Sequence, residues 1–153
     1  MQDYTDALIA QLRARPGLAG VIITDGVPPA NVLGNMPEWI MIGDVHGSED
    51  WVAVAQPRRP KDEEFTIDIL VDVLMPTTPG SDVQPTCNRR AMELLAEVED
   101  TVRIDPQQGL GDANINPGYV IVSGLTSKNL LKRGDDQVRE AAIEAGLAVK
   151  VRL

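Results

Sequence analysis

The run Glu64-Phe65-Thr66-Ile67-Asp68-Ile69-Leu70-Val71-Asp72-Val73-Leu74 constrains this chain more than any other segment. Its odd positions, Phe65, Ile67, Ile69, Val71 and Val73, are all apolar and β-favouring, while Glu64, Thr66, Asp68 and Asp72 occupy even positions. A period of two places successive side chains on opposite faces of a pleated strand. The run therefore reads as one long strand with a buried face and an acidic face. No catalytic constellation accompanies it, so the chain is expected to act through its surfaces.

A length of 153 residues suits one domain with a real core, and 1–153 is read as a single domain. Aromatic residues are only 3% of the chain, so Val, Ile, Leu, Ala and Met must build that core and no base-stacking platform is offered. The formal charge of -9 repels nucleic acid and anionic membrane, which argues against sequence-specific DNA binding. The single cysteine, Cys87, excludes an intrachain disulfide, and no Cys/His spacing suits structural zinc. The start Met1-Gln2-Asp3-Tyr4-Thr5-Asp6 is acidic where a signal peptide would be basic, and no apolar stretch approaches membrane-spanning length. A soluble protein is expected.

Along the chain, Tyr4, Leu8 and Leu12 mark a short amphipathic helix over 3–15, stopped by Pro16-Gly17. Val21-Ile22-Ile23 reads as a buried strand, and the segment 26–37, rich in Pro and Gly, as a loop. Strands are expected at 39–42 and 51–55, joined by a polar turn over 43–50. The second of these should form an antiparallel hairpin with 64–74 around the charged tip 57–62. After a break at 76–80 the period becomes 3.6, and Cys87, Ala91, Leu94, Leu95, Val98 and Val102 share one face of a helix over about 83–104. Arg89 with Glu93 and Glu99 with Arg103 are candidate i,i+4 pairs on its outer side. Beyond Asp105-Pro106, Tyr119-Val120-Ile121-Val122 begins a strand, a polar segment over 126–138 carries Lys128, Lys132 and Arg133, and an alternating strand ends at Leu153. Helix formers at 139–142 blur where that last strand starts.

Several motifs carry a chemical reading beside a bland one. Gly43-Asp44-Val45-His46-Gly47 matches the opening of a metallophosphoesterase two-metal site, but such a site needs several more ligands and this chain has one histidine. An ordinary turn between two strands is favoured. Cys87 lies near a helix start, where a thiolate would be stabilised, but also on the apolar stripe beside Ala91, so core packing is favoured. Gly109-Leu110-Gly111-Asp112 resembles part of a phosphate loop, yet no helix pattern follows it and a plain loop is expected. Glu64, Asp68 and Asp72 could be a solvated strand face, acid-base groups, or, in a ring of copies, an acidic field past which DNA slides.

The order of these elements resembles the tail terminator proteins of long-tailed bacteriophages. The segments that carry the resemblance are 65–71, then Asn88-Arg89-Arg90-Ala91-Met92-Glu93-Leu94-Leu95 with Val102-Arg103-Ile104-Asp105-Pro106, then 145–153. The resemblance implies an α/β (α+β) protomer with a mixed or largely antiparallel sheet, two main helices on one face, and long loops or a hairpin extension. It implies a virion protein made in the host bacterial cytoplasm, without cofactor, metal site or enzyme activity. Its partners would be copies of itself in a hexameric ring, the major tail-tube protein, and the head-completion or connector proteins, with DNA only passing through the lumen and no membrane contact. On that reading Lys128, Lys132 and Arg133 contact an acidic neighbour, and Asp68 and Asp72 face the lumen. Another neck component is the nearest rival, and an unrelated cytoplasmic binding module a more distant one.

Overall fold

Two helices lie on one face of a five-stranded sheet in a computed structural model that describes residues 2–27, 37–49, 62–77, 80, 82–131 and 137–152. In chain order the elements are α1 (Gln2–Ala14), β1 (Ile22–Asp25), β2 (Glu38–Glu49), β3 (Asp62–Pro76), α2 (Gln84–Ile104), β4 (Ile115–Leu131) and β5 (Gln137–Arg152). The strands are ordered β1-β2-β3-β5-β4. β1 runs parallel to β2 and the other pairs are antiparallel, which makes the sheet mixed, as expected.

The alternation in β3 sets the architecture. Ile67, Ile69, Val71 and Val73 are buried, and the register places them beside Leu147, Ala145, Ile143 and Ala141 of β5, which are also buried. Onto this apolar face α2 lays Cys87, Ala91, Leu94, Leu95, Val98 and Val102, each of them buried. Burying a Leu or Val side chain fully is worth about 1.5–3 kcal/mol, so this stripe dominates the docking of α2. α1 adds Tyr4, Leu8, Ile9 and Leu12 to the same core. Polar ties fix the layers: the Arg90 guanidinium grips Glu38 of β2 with Nε–Oε1 2.7 Å and an Nη contact to Oε2 at 2.9 Å, Arg15 meets Glu97 at 2.7 Å, and Arg13 donates to the Ile23 carbonyl at 2.7 Å.

Five expectations are corrected. The segment 43–47 is no turn: β2 runs through it, and a bulge between Ile42 and Val45 absorbs the irregularity. β2 is the antiparallel neighbour of β3, while 51–55 and most of the tip 57–62 lie outside the described residues. Lys128 belongs to β4, not to a polar loop, since β4 continues to Leu131 and pairs residue for residue with a β5 that starts at Gln137. On α2, Glu93 takes Arg90 at 3.4 Å and Arg103 takes Asp100, so these ion pairs are i,i+3 and not the anticipated i,i+4 ones. β1 is also less buried than read, with Ile23 in the core but Ile22 36% exposed at the sheet edge.

Candidate assembly surfaces

The face of the sheet opposite the helices carries the even positions of β3. By register Asp68 lies beside Gly146, Leu70 beside Glu144 and Asp72 beside Ala142, so β5 adds Glu140 and Glu144 to the acids of β3. This face is less purely acidic than the alternation implied. Asp68 Oδ2 sits 2.8 Å from His46 Nε2, Glu64 lies 3.7 Å from the Lys150 ammonium, and Met41, Leu70 and Leu74 are half-buried among the acids. Both members of the His46–Asp68 contact are about half exposed, at 64% and 49%, which is the regime in which ion pairs contribute little. Asp72, four residues along, is of intermediate exposure, with its Oδ1 buried.

The Gly-Asp-x-His-Gly segment has a structural explanation. Asp44 and His46 lie on a paired strand rather than on a strand-end loop. Gly47 stands opposite Phe65, and a Cβ at Gly47 would come within 3.0 Å of the Phe65 ring. The glycine lets that ring lie across β2. Among the described residues no group of three His, Cys, Asp or Glu side chains could hold a metal ion. Cys87 is fully buried, its Sγ donates to the Val73 carbonyl at 3.3 Å, and burial pushes its thiol above the ordinary range. That is the opposite of what a nucleophile requires. Gly109 and Gly111 adopt positive φ in the turn between α2 and β4, with a strand rather than a helix following.

Of the three cationic residues expected to act together, Lys128 is on β4 with Glu140 as its register partner. Lys132 and Arg133 lie outside the described residues.

The sequence pattern at 119–122 indicates a strand but not that its outer edge, on β4, is exposed. Among the described residues β4 is paired on one side only, by β5. It carries Tyr119 at 84% exposure, Ile121 at 63%, Val122 at 45% and Leu125 at 51%. Polar insertions at Ser123 and Gly124 break the alternation that would have flagged this edge, and bulges at Pro117/Val120 and Val122/Gly124 shift which face each residue takes.

No family model and no curated protein matches the chain. Among solved structures, it is similar to a chain in the virion of a native gene transfer agent (GTA) particle. The likeness covers 97% of this chain and 94% of that one, with a TM-score of 0.51 at 16% identity. At that identity the two share a fold.

Proposed function

We propose that this protein is a structural component of a phage-like particle, and within it the tail terminator: a ring on the end of the tail tube that stops tube growth and presents the docking surface for the head and neck. The observation that carries the proposal is the fold shared end to end, over 97% of the chain, with a protein of a GTA virion. The distribution of surface chemistry supports it. One sheet face is covered by helices, the other carries no helix among the described residues and is rich in acids, and one long edge is apolar. Such a protomer has its specificity in faces and edges, as a closed ring requires. The acids at Asp68 and Asp72 face the lumen in this reading and keep passing DNA from sticking. Lys128, Lys132 and Arg133 meet an acidic neighbour, either the adjacent protomer or the tube. The partners are copies of this chain in a hexamer, the tube protein and the head-completion proteins.

The test is deletion of the gene from the phage or prophage that carries it, with tails scored by electron microscopy. Overlong headless tails are expected. Tails of normal length beside filled heads would assign the protein to head–tail joining instead, and intact infectious particles would refute a structural role.

A further inference from the structure

The edge of β4 concentrates the devices by which soluble proteins keep an exposed strand from pairing at its start, and leaves the rest with few. The residues Ala113 to Ser127 include no Asp, Glu, Lys or Arg, although 24% of the chain is charged. Free edges are ordinarily blunted by charge, by proline or by bulges. Here Pro117 and both bulges lie in the first half of the strand, and from Gly124 to Leu131 the ladder to β5 runs without a shift. The second half of β4, with Lys128 as its one charged residue, is thus a regular ladder with no partner on its outer side among the described residues, next to the exposed Tyr119, Ile121, Val122 and Leu125.

Charge restricts what can cover it. Two copies that each carry a formal charge of -9 repel, and close contact between them is least costly where neither surface is charged. The opposite edge of the sheet offers a second such surface. β1 is paired only with β2 among the described residues, the residues Pro16 to Thr24 include no charged side chain, the exposed Asp25 is the one charge on the strand, and Ile22 and Val27 are exposed at 36% and 74%. Strand direction also fits. β1 and β2 run one way, β3 the other, β5 with β2, and β4 with β3. A second copy in the same orientation therefore brings its β1 antiparallel to β4, the better of the two pairings.

We infer that the β4 edge of one protomer docks on the β1 edge of a second copy, so that the sheet continues from subunit to subunit. The contact joins two different patches, so it repeats head to tail, and it gives a ring where the rotation from copy to copy closes. This inference rests on the ring reading above and specifies its interface. An isologous β4–β4 contact would stop at two copies and leave Ile22 and Val27 uncovered.

The experiment uses two variants of the full chain, Ile121→Lys/Leu125→Lys for the β4 edge and Ile22→Lys/Val27→Lys for the β1 edge. Both replace exposed side chains, and both lower the net negative charge, so a loss of association cannot be ascribed to added repulsion. Circular dichroism and thermal melting check that each variant folds. Sedimentation should show a ring for the natural sequence and at least a roughly 100-fold weaker association for each variant alone, as burying unpaired charge in an interface demands. Mixed in equal amounts, the two variants retain one intact edge each and should form a dimer that goes no further. Homodimers of the β1-edge variant alone would overturn the head-to-tail contact in favour of the isologous one. Rings from the β4-edge variant as strong as the natural ones would overturn the interface and leave the ring reading standing. A natural sequence that stays monomeric at all concentrations would overturn both.

Discussion

Tyr4 links the first helix to the turn that follows α2, and its removal has a pH signature that can be worked out in advance. Its ring is 1% exposed in the α1 stripe, and its hydroxyl donates to the Pro106 carbonyl at 3.2 Å, in the turn that leads from α2 toward β4. Burial, with the nearby Asp105 charge acting in the same direction and a contact with Gln108 opposing, pushes its pKa up to about 12. In the unfolded chain the phenol ionises near pH 10, at about the ordinary value. A raised pKa favours the neutral form in the native state, so this stabilisation is fully present below pH 10. It is lost as the pH climbs toward 12, because only the unfolded state releases its proton there. At 1.36 kcal/mol per unit the loss is about 1.4 kcal/mol at pH 11 and about 2.7 kcal/mol above pH 12.

Tyr4→Phe removes the hydrogen bond, at a cost of about 1 kcal/mol at pH 8, and also removes the titration. The natural protein should therefore be the more stable by about 1 kcal/mol at pH 8 and the less stable by about 0.4 kcal/mol at pH 11, with the curves crossing near pH 10.7. Urea unfolding followed by tryptophan fluorescence measures this, and the other alkaline ionisations are common to both proteins and cancel. A difference that stays constant from pH 8 to 11.5 would show that the phenol is in water and that α1 is not docked through it.

Other perturbations have simpler readouts. A double-mutant cycle on Glu38→Gln and Arg90→Met should return a coupling of about 1–2 kcal/mol, since two short hydrogen bonds join these groups at roughly a quarter exposure; additive effects would mean that the pair is merely solvated. Cys87 should resist thiol reagents in the native state and react at once in denaturant, because burial both hides it and raises its pKa. His46→Gln should change stability by less than about 0.5 kcal/mol, as expected for an exposed contact. Reversing Lys132 and Arg133 to Glu should weaken ring assembly in a salt-dependent manner, and normal assembly of that variant would remove their proposed contact with an acidic neighbour.

What the sequence made legible follows from how strictly each element keeps its period. β3 and α2 are single-sided over many residues, and each apolar position assigned to them, apart from the half-buried Phe65, is buried. Gly43, Asp44 and Gly47 are turn formers and shorten the strand that the residues suggest for β2, whereas the bulge between Ile42 and Val45 and the ring of Phe65 lying across Gly47 explain their place in a strand. β5 begins earlier than the residues suggest because Arg139-Glu140-Ala141-Ala142, helix formers in isolation, are held in the ladder between β3 and β4. There tertiary pairing outweighs propensity. β4 starts at Ile115, ahead of Pro117, and an edge strand tolerates that proline because one side of its backbone needs no partner. The candidate assembly surfaces were half legible: the acids of β3 by alternation, the β4 edge not at all, because exposure depends on where α2 ends its cover.

These placements bear on which way the protomer would face in a ring. If the sheet continues through β4 and β1, every copy turns the same sheet face toward the axis, and the choice lies between the helical layer and the bare face. The outer side of the helical layer mixes signs, with Arg89, Arg103, Glu93 and Glu99 on α2. The bare face gathers Glu64, Asp68, Asp72, Glu140 and Glu144, against Lys150 among its cations. Repeated around a closed ring, that excess of acid builds a negative potential that salt screens over about 10 Å, comparable to the reach of a side chain into a lumen. In the proposed ring, the bare face turned toward the axis would give a channel that DNA traverses without binding. Replacing Asp68 and Asp72 together by Asn should leave folding and ring formation intact and slow DNA passage or ejection. Unchanged ejection from particles carrying the double variant would put the helical layer, not this face, at the axis.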